Sequence, residues 1–268
     1  MRYCKKCVMP DTRPGSIFDK EGVCQACRNY EKRKTINWEE RKKQLINLCN
    51  KYRRENGYYD CIIPVSGGKD SHFLTYLMKE EMKMNPLLIT VADPFTKTEA
   101  GKHNLRNLGD TFNCDIIAFN VSVDLFRRAT KIGFEKLGEP LKFIEAAIYT
   151  MPFKIAMKFN IPLVIYGENP AYEYGTTDKE EYNSGNQYIN KVFEKIDINF
   201  WLSRHISLKE LNAVIPPTKE ELRKFCPYVG FMSYYIPWDG ERNYLVAKRY
   251  GFKDLTHEWE REGNIEFY

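Results

Sequence analysis

Histidine is scarce in this chain: only His72, His103, His205 and His257 occur in 268 residues. Their separations offer no metal-ligand spacing, so no role is read for them. Long apolar runs are missing too. No stretch approaches the ~20 residues of a membrane span, and the N-terminus lacks the apolar core of a signal peptide, so a cytoplasmic protein without membrane contact is expected. Nor is there a strong charge of one sign, and a formal net charge of +5 is modest for a nucleic-acid binder. Two familiar phosphate-binding patterns, G-x-x-x-x-G-K-[ST] and G-x-G-x-x-G, are absent. So is a glutaminase nucleophile: residue 2 is Arg, and no cysteine sits in a G-x-C-x-G turn.

With 29% charged and 43% hydrophobic residues, the chain reads as globular, with room for one sizeable α/β core and a small appended module. Eight cysteines in a reducing compartment point to metal or chemistry before disulfides. Cys4-x-x-Cys7 and Cys24-x-x-Cys27 stand 16 residues apart, a spacing that suits a four-cysteine structural zinc site. The other readings are an iron–sulfur cluster and a redox pair.

Three parts are expected: a zinc-ribbon-like module over 1–30, a linking helix over 31–57 and a nucleotide domain over 58–268. Trp38, Leu45, Ile46 and Leu48 are spaced as on one helix face. Basic residues from Arg28 to Lys43 are interleaved with acids, which reads as a solvated face before an RNA contact.

Asp60 to Val65 reads as a short strand, followed by the Ser66-Gly67-Gly68-Lys69-Asp70-Ser71 turn and a helix over 72–83. Adjacent glycines let backbone N–H groups converge at the positive end of a helix, which makes a phosphate cradle. Further strands are expected at 86–92, 116–119 and 162–166, with helices at 98–112, 124–137 and 141–159. That alternation predicts a parallel, doubly wound sheet. Its ligand would lie beyond the carboxyl ends of the strands, where the Ser66 loop, the Thr90-Val91-Ala92-Asp93 end and Gly167-Glu168-Asn169 meet.

The S-G-G-K-D-S run resembles the PP-loop of the ATP pyrophosphatases, the α-hydrolase-like enzymes that cut ATP between its α and β phosphates. The resemblance implies that Pro64, Val65, Ser66, Gly67, Gly68, Lys69, Asp70 and Ser71 hold ATP, with Thr90, Val91, Ala92 and Gly167 completing the site. Ser66, Ser71 and the loop amides would hold pyrophosphate, Lys69 would offset its charge, and Asp70 would hold Mg²⁺. An ordinary Gly-Gly turn with a charged tip is the other reading.

The G-E-N-x-x-x-E-Y-G run at 167–175, the cysteine knuckles, the 227–235 segment and Ile236-Pro237-Trp238-Asp239-Gly240 together resemble the N-acetyl sugar amidotransferases. Those enzymes form acetamidino groups in O-antigen and pseudaminic or legionaminic acid pathways. The family's chains continue past the Arg261-Glu262-Gly263 stretch. The resemblance implies an AMP-forming ligase that acts on an N-acetylated sugar or sugar nucleotide, supplied with ammonia by separate glutaminase and conduit subunits. Glu168 or Glu173 would orient ammonia or take its proton, and each could equally be a capping carboxylate. Asn169, Tyr172, Tyr174, Tyr234, Tyr235 and Trp238 are the candidate substrate contacts, although core packing is open to any one of 18 tyrosines. Two further readings remain: a PP-loop tRNA sulfurtransferase, which needs a cysteine among Cys49, Cys61, Cys114 and Cys226 near ATP, and a module that senses ATP without turnover.

Overall fold

The computed structural model describes residues 1–13, 15–94, 98–173, 175, 185–202 and 205–255. Its strands β1 (Cys61–Pro64), β2 (Pro86–Ala92), β3 (Ile116–Asn120), β4 (Leu163–Tyr166) and β5 (Tyr228–Phe231) form one parallel sheet in the order β3-β2-β1-β4-β5. The chain runs outward from β1 through β2 to β3, then returns to lay β4 on the other side of β1. That reversal is the switch point at which such sheets bind ligands. The fold is therefore the expected doubly wound one. β5 is the strand that the apolar pattern does not announce, since Gly230 interrupts its four residues.

Alternate residues sort the helices onto two faces. Ile63, Leu88, Leu163 and Ile165 point to one core, which also takes Phe73, Leu77, Met78 and Leu45. Ile62, Leu87, Ile89 and Val164 point to the other, against Phe153 and Ala156. With strands buried on both faces, near-continuous apolar runs follow.

At the N-terminus, α1 (Gln25–Arg33) grows directly out of the second cysteine knuckle. The segment expected as one linking helix holds the end of α1 and all of α2 (Trp38–Tyr52), whose Leu45 is buried while Ile46 is exposed. So α2 is part of the main core. α3 (Lys69–Tyr76) starts three residues before the expected position because Gly68 serves as its N-cap, and it continues as a π-helical turn over Leu77–Glu81. α4 (Glu99–Phe112) is capped by Thr98, whose side chain accepts from the Gly101 amide. α5 (Val123–Leu137) leads to α6 (Lys142–Lys158), which crosses the sheet face with Pro152 inside it. Beyond β4 come α7 (Pro170–Glu173), α8 (Asn186–Glu194), α9 (Lys219–Phe225), α10 (Met232–Tyr235) and α11 (Gly240–Arg249). No helix among the described residues is long and apolar enough to cross a membrane.

Candidate active site

A cavity of about 580 Å³ opens at the carboxyl ends of β1, β2 and β4. This is the size of a small-molecule site. Pro64, Val65, Ser66, Asp70 and Ser71 line it from the glycine turn, Thr90, Val91 and Asp93 from the end of β2, and Gly167 and Glu168 from the end of β4. The three segments expected to converge do so.

The turn is held by its own hydroxyls. The Ser66 amide donates to Ser71 Oγ at 3.0 Å, and the Gly68 amide donates to Ser66 Oγ at 3.2 Å. Of the two glycines, the turn requires Gly67, which has φ +95°, and a Cβ there would stand 3.2 Å from the Leu105 backbone nitrogen. Gly68 has φ −72°, open to any residue, and its task is to start α3. Adjacent glycines are thus one conformational requirement and one helix cap.

Asp70 is fixed from two sides. Lys69 Nζ lies 2.9 Å from its Oδ2, and Asn243 Nδ2 donates to its Oδ1 at 2.7 Å. Asn243 is fully buried on α11, the helix packed along α3. Each carboxylate oxygen keeps a further lone pair, so Asp70 retains acceptor capacity toward the cavity. Lys69 itself is mostly shielded and runs beneath Gly240.

Under the turn lies His72, one of the histidines given no role. Its ring is fully buried, with Nδ1 donating to the Gly68 carbonyl at 3.1 Å and Nε2 accepting from Asn107 Nδ2 at 3.2 Å. The same Asn107 amide donates to the Tyr250 carbonyl, and its Oδ1 accepts from Thr111, so its orientation is determined. Burial, reinforced by His103, brings the His72 pKa from 6.5 to about 4, even though the Gly68 carbonyl works the other way. The ring is a neutral brace beneath the cradle.

The candidate substrate residues divide. Trp238 lines the cavity, edge-on to Phe73 at 5.6 Å, and its ring leaves no room for a Cβ at Gly167. Tyr234 and Tyr235 instead belong to the core: Arg41 stacks 3.5 Å over the Tyr234 ring, and the Tyr235 and Tyr228 hydroxyls meet at 2.8 Å. They lie on α10, which packs against α2, and neither lines the cavity. Asn169 is buried, with its backbone N–H donating to Ser233 Oγ, and Tyr172 is buried beneath the Arg33 guanidinium. Both shape the loop after β4 and neither lines the cavity. Ala92, also buried, is not in the lining either. Tyr174 and the Glu173 side chain lie outside the described residues.

The four knuckle cysteines form a second centre. Their sulfurs all lie within 4.8 Å of one another, with Cys4 and Cys27 at 3.9 Å and Cys7 and Cys24 at 3.5 Å. Tetrahedral ligation at a Zn–S length of ~2.3 Å places sulfurs about 3.8 Å apart, so the set fits one ion. A cubane cluster would spread its ligands more widely. Burial opposes the Cys4 thiolate, yet the amides of Cys24, Lys6 and Cys7 outweigh it and bring its pKa to about 6. Apart from the cysteines, the module's own core is little more than Val23 with Met9 and Phe18 against it.

No protein-family model matches the chain. It is 29% identical over 161 residues to an uncharacterized protein of Methanocaldococcus jannaschii, across 59% of this chain and 57% of that protein. Among solved structures it is similar to the NH3-dependent NAD synthetase of Campylobacter jejuni, at 14% identity and a TM-score of 0.41, covering 71% of this chain and 96% of that one. The U34-tRNA thiolase NcsA of Methanococcus maripaludis, solved with its [4Fe-4S] cluster, gives 13%, 0.34, 84% and 72% in the same order. For the NMN synthetase of Francisella tularensis the figures are 14%, 0.38, 85% and 98%. Likenesses this low say nothing about substrate or reaction.

Residue patterns missed Asn243, His72 and a wall made by Leu141 with Ile144, Ile148, Tyr149 and Pro152 of α6, joined by Tyr166 and Phe231. An apolar helix face reads the same whether it meets a core or a cavity.

Proposed function

We propose that this protein is a PP-loop ATP-dependent ligase that adenylates the N-acetyl carbonyl of a sugar or sugar nucleotide and replaces its oxygen with ammonia. The observation carrying this reading is the single cavity that joins the Ser66–Ser71 turn to Glu168 and Trp238. The carbonyl oxygen would form a bond to the α-phosphorus, and pyrophosphate would leave with the electron pair of the broken P–O bond. Ser66, Ser71 and the amides at the start of α3 would receive it, with Lys69 offsetting its charge. Asp70 and Asp93 line the cavity beside the turn and are the carboxylates that would hold Mg²⁺, which spreads the charge of the polyphosphate. Ammonia would then add to the activated carbon, AMP would depart with the former carbonyl oxygen, and Glu168 at the exposed rim would take the released proton. The knuckle cysteines would carry structural zinc. A separate glutaminase with a conduit subunit, resembling the pair that feeds ammonia in histidine biosynthesis, would supply the nitrogen.

Sulfur transfer has less support. Among the described residues no cysteine lines the cavity, and Cys49 and Cys61 are buried. The deciding experiment measures pyrophosphate release from ATP on adding an N-acetylated sugar nucleotide or tRNA. Release should follow the sugar and fall ~10²–10³-fold in Lys69→Ala and Asp70→Ala, each still folded. Release triggered by tRNA alone would replace this reading with the sulfurtransferase one.

A further inference from the structure

The cysteine knuckles and the cavity are joined by one helix. α1 is capped by Cys24, carries Cys27 in its first turn and ends at Arg33, so the knuckle sulfurs and Arg33 sit at opposite ends of nine residues. That length is about 13.5 Å. Arg33 is buried despite its charge. Its guanidinium lies 5.2 Å from the Tyr172 ring of α7 and 5.9 Å from the Trp38 ring that opens α2, and its Nη2 donates to the Trp238 carbonyl at 3.4 Å. A planar guanidinium stacks on rings through its faces while donating from its edge, which an ammonium cannot do. One side chain thus joins α1, α2, α7 and the segment before α11.

Trp238 lines the cavity where α3 meets the end of β4. Its ring is edge-on to Phe73 at 5.6 Å, and a Cβ at Gly167 would stand 2.8 Å from it. The main chain here is clamped at two successive carbonyls. Arg242, stacked 4.5 Å over Phe73, donates to the Pro237 carbonyl at 2.7 Å, and Arg33 takes the Trp238 carbonyl. The first clamp reaches five positions along the chain, whereas the second reaches 205. α1 also presses on the loop after β4: it packs against α7, and the backbone of Gln25 and Ala26 fills the space where Gly175 would carry a Cβ.

We propose that Arg33 is a positioning residue that transmits the anchorage of the cysteine knuckles to the cavity wall, setting the Trp238 ring and the loop that follows Glu168. Its place on the acceptor side rests on the reading above, in which Glu168 serves ammonia and the nucleotide keeps to Thr90 and Val91 on β2. Arg33 does not line the cavity and acts through Trp238 and Tyr172. The knuckles have so small an apolar core that their shape depends on ligation of the four sulfurs. Freeing the sulfurs releases the start of α1, and removing the guanidinium releases its far end from Trp238. Both changes break one line of contacts, so their effects on Trp238 are not additive.

The test uses the whole chain labelled with 5-fluorotryptophan, which gives a fluorine signal for each of Trp38, Trp201, Trp238 and Trp259. Trp238→Phe assigns the Trp238 signal. Arg33→Lys keeps the charge, and it should shift that signal while leaving Trp201 and the thermal midpoint of the sheet domain in place. Stripping zinc from the wild type with a chelator should also shift the Trp238 signal, and stripping it from Arg33→Lys should add little further. With ATP and UDP-N-acetylglucosamine as substrates, Arg33→Lys should raise the sugar-nucleotide KM about tenfold and leave the ATP KM within about twofold. A Trp238 signal unmoved in Arg33→Lys, an equal zinc-dependent shift in wild type and variant, or an ATP KM that rises as much as the sugar one overturns the proposal. Where Arg33→Lys does not fold, the wild type decides alone, and a Trp238 signal indifferent to zinc removal overturns it. The two readings fail separately: a wild type that releases no pyrophosphate with the sugar nucleotide sinks the amidine chemistry alone, because the fluorine signals need no acceptor.

Discussion

Acidification should loosen this protein through His72 well before general acid unfolding. Once protonated, Nε2 carries a hydrogen that faces Asn107 Nδ2, itself a donor. Asn107 cannot turn over to help, because its amide is engaged by the Tyr250 carbonyl and its Oδ1 by Thr111. The folded-state pKa of about 4 lies below the unfolded value of 6.5, so the unfolded chain takes up the proton first. His72's contribution is therefore complete above pH 6.5 and lost as pH falls toward 4. By linkage the loss is about 2 kcal/mol at pH 5 and about 3 kcal/mol at pH 4. Urea unfolding of the wild type and of His72→Gln at pH 7, 6 and 5 isolates the effect, since carboxylates contribute equally to both. The two stabilities should converge by about 2 kcal/mol between pH 7 and 5. Parallel curves, or an NMR titration of His72 near 6.5 in the folded protein, would refute the argument.

Asn243→Ala frees one oxygen of Asp70 without touching the cavity, and it should lower pyrophosphate release about tenfold and raise the Mg²⁺ concentration for half-maximal rate; an unchanged Mg²⁺ response removes Asn243 from the positioning of Asp70. Gly175 has φ +60° and packs against the backbone of Gln25 and Ala26. Gly175→Ala should therefore separate α1 from the loop after β4 and raise the acceptor KM more than the ATP KM, which steady-state kinetics would check. Metal analysis should find one zinc per chain. Cys24→Ser should abolish zinc binding and unfold the knuckles while the thermal transition of the sheet domain persists, and a chain carrying iron in place of zinc would reopen the sulfurtransferase reading.

Local sequence determined those features that depend on near neighbours. The strand–turn–helix order around Ser66, the run of strands β1 to β4 with their helices, and the paired cysteine knuckles each follow from periodicity, glycine placement or ligand spacing within a few residues. Tertiary packing alone decided the rest. Asn243 reaches Asp70 across 173 positions because α11 lies along α3. His72 became a brace because α4 brought Asn107 over the ring, and Tyr234 and Tyr235 went to the core because α10 packs against α2. Tyr149, Tyr166 and Phe231 come from three separate elements, and the packing of α6 over the sheet brings their rings together at one side of the cavity. A residue's type limits which contacts it can make, but its partner is chosen by elements that meet only after the chain has folded.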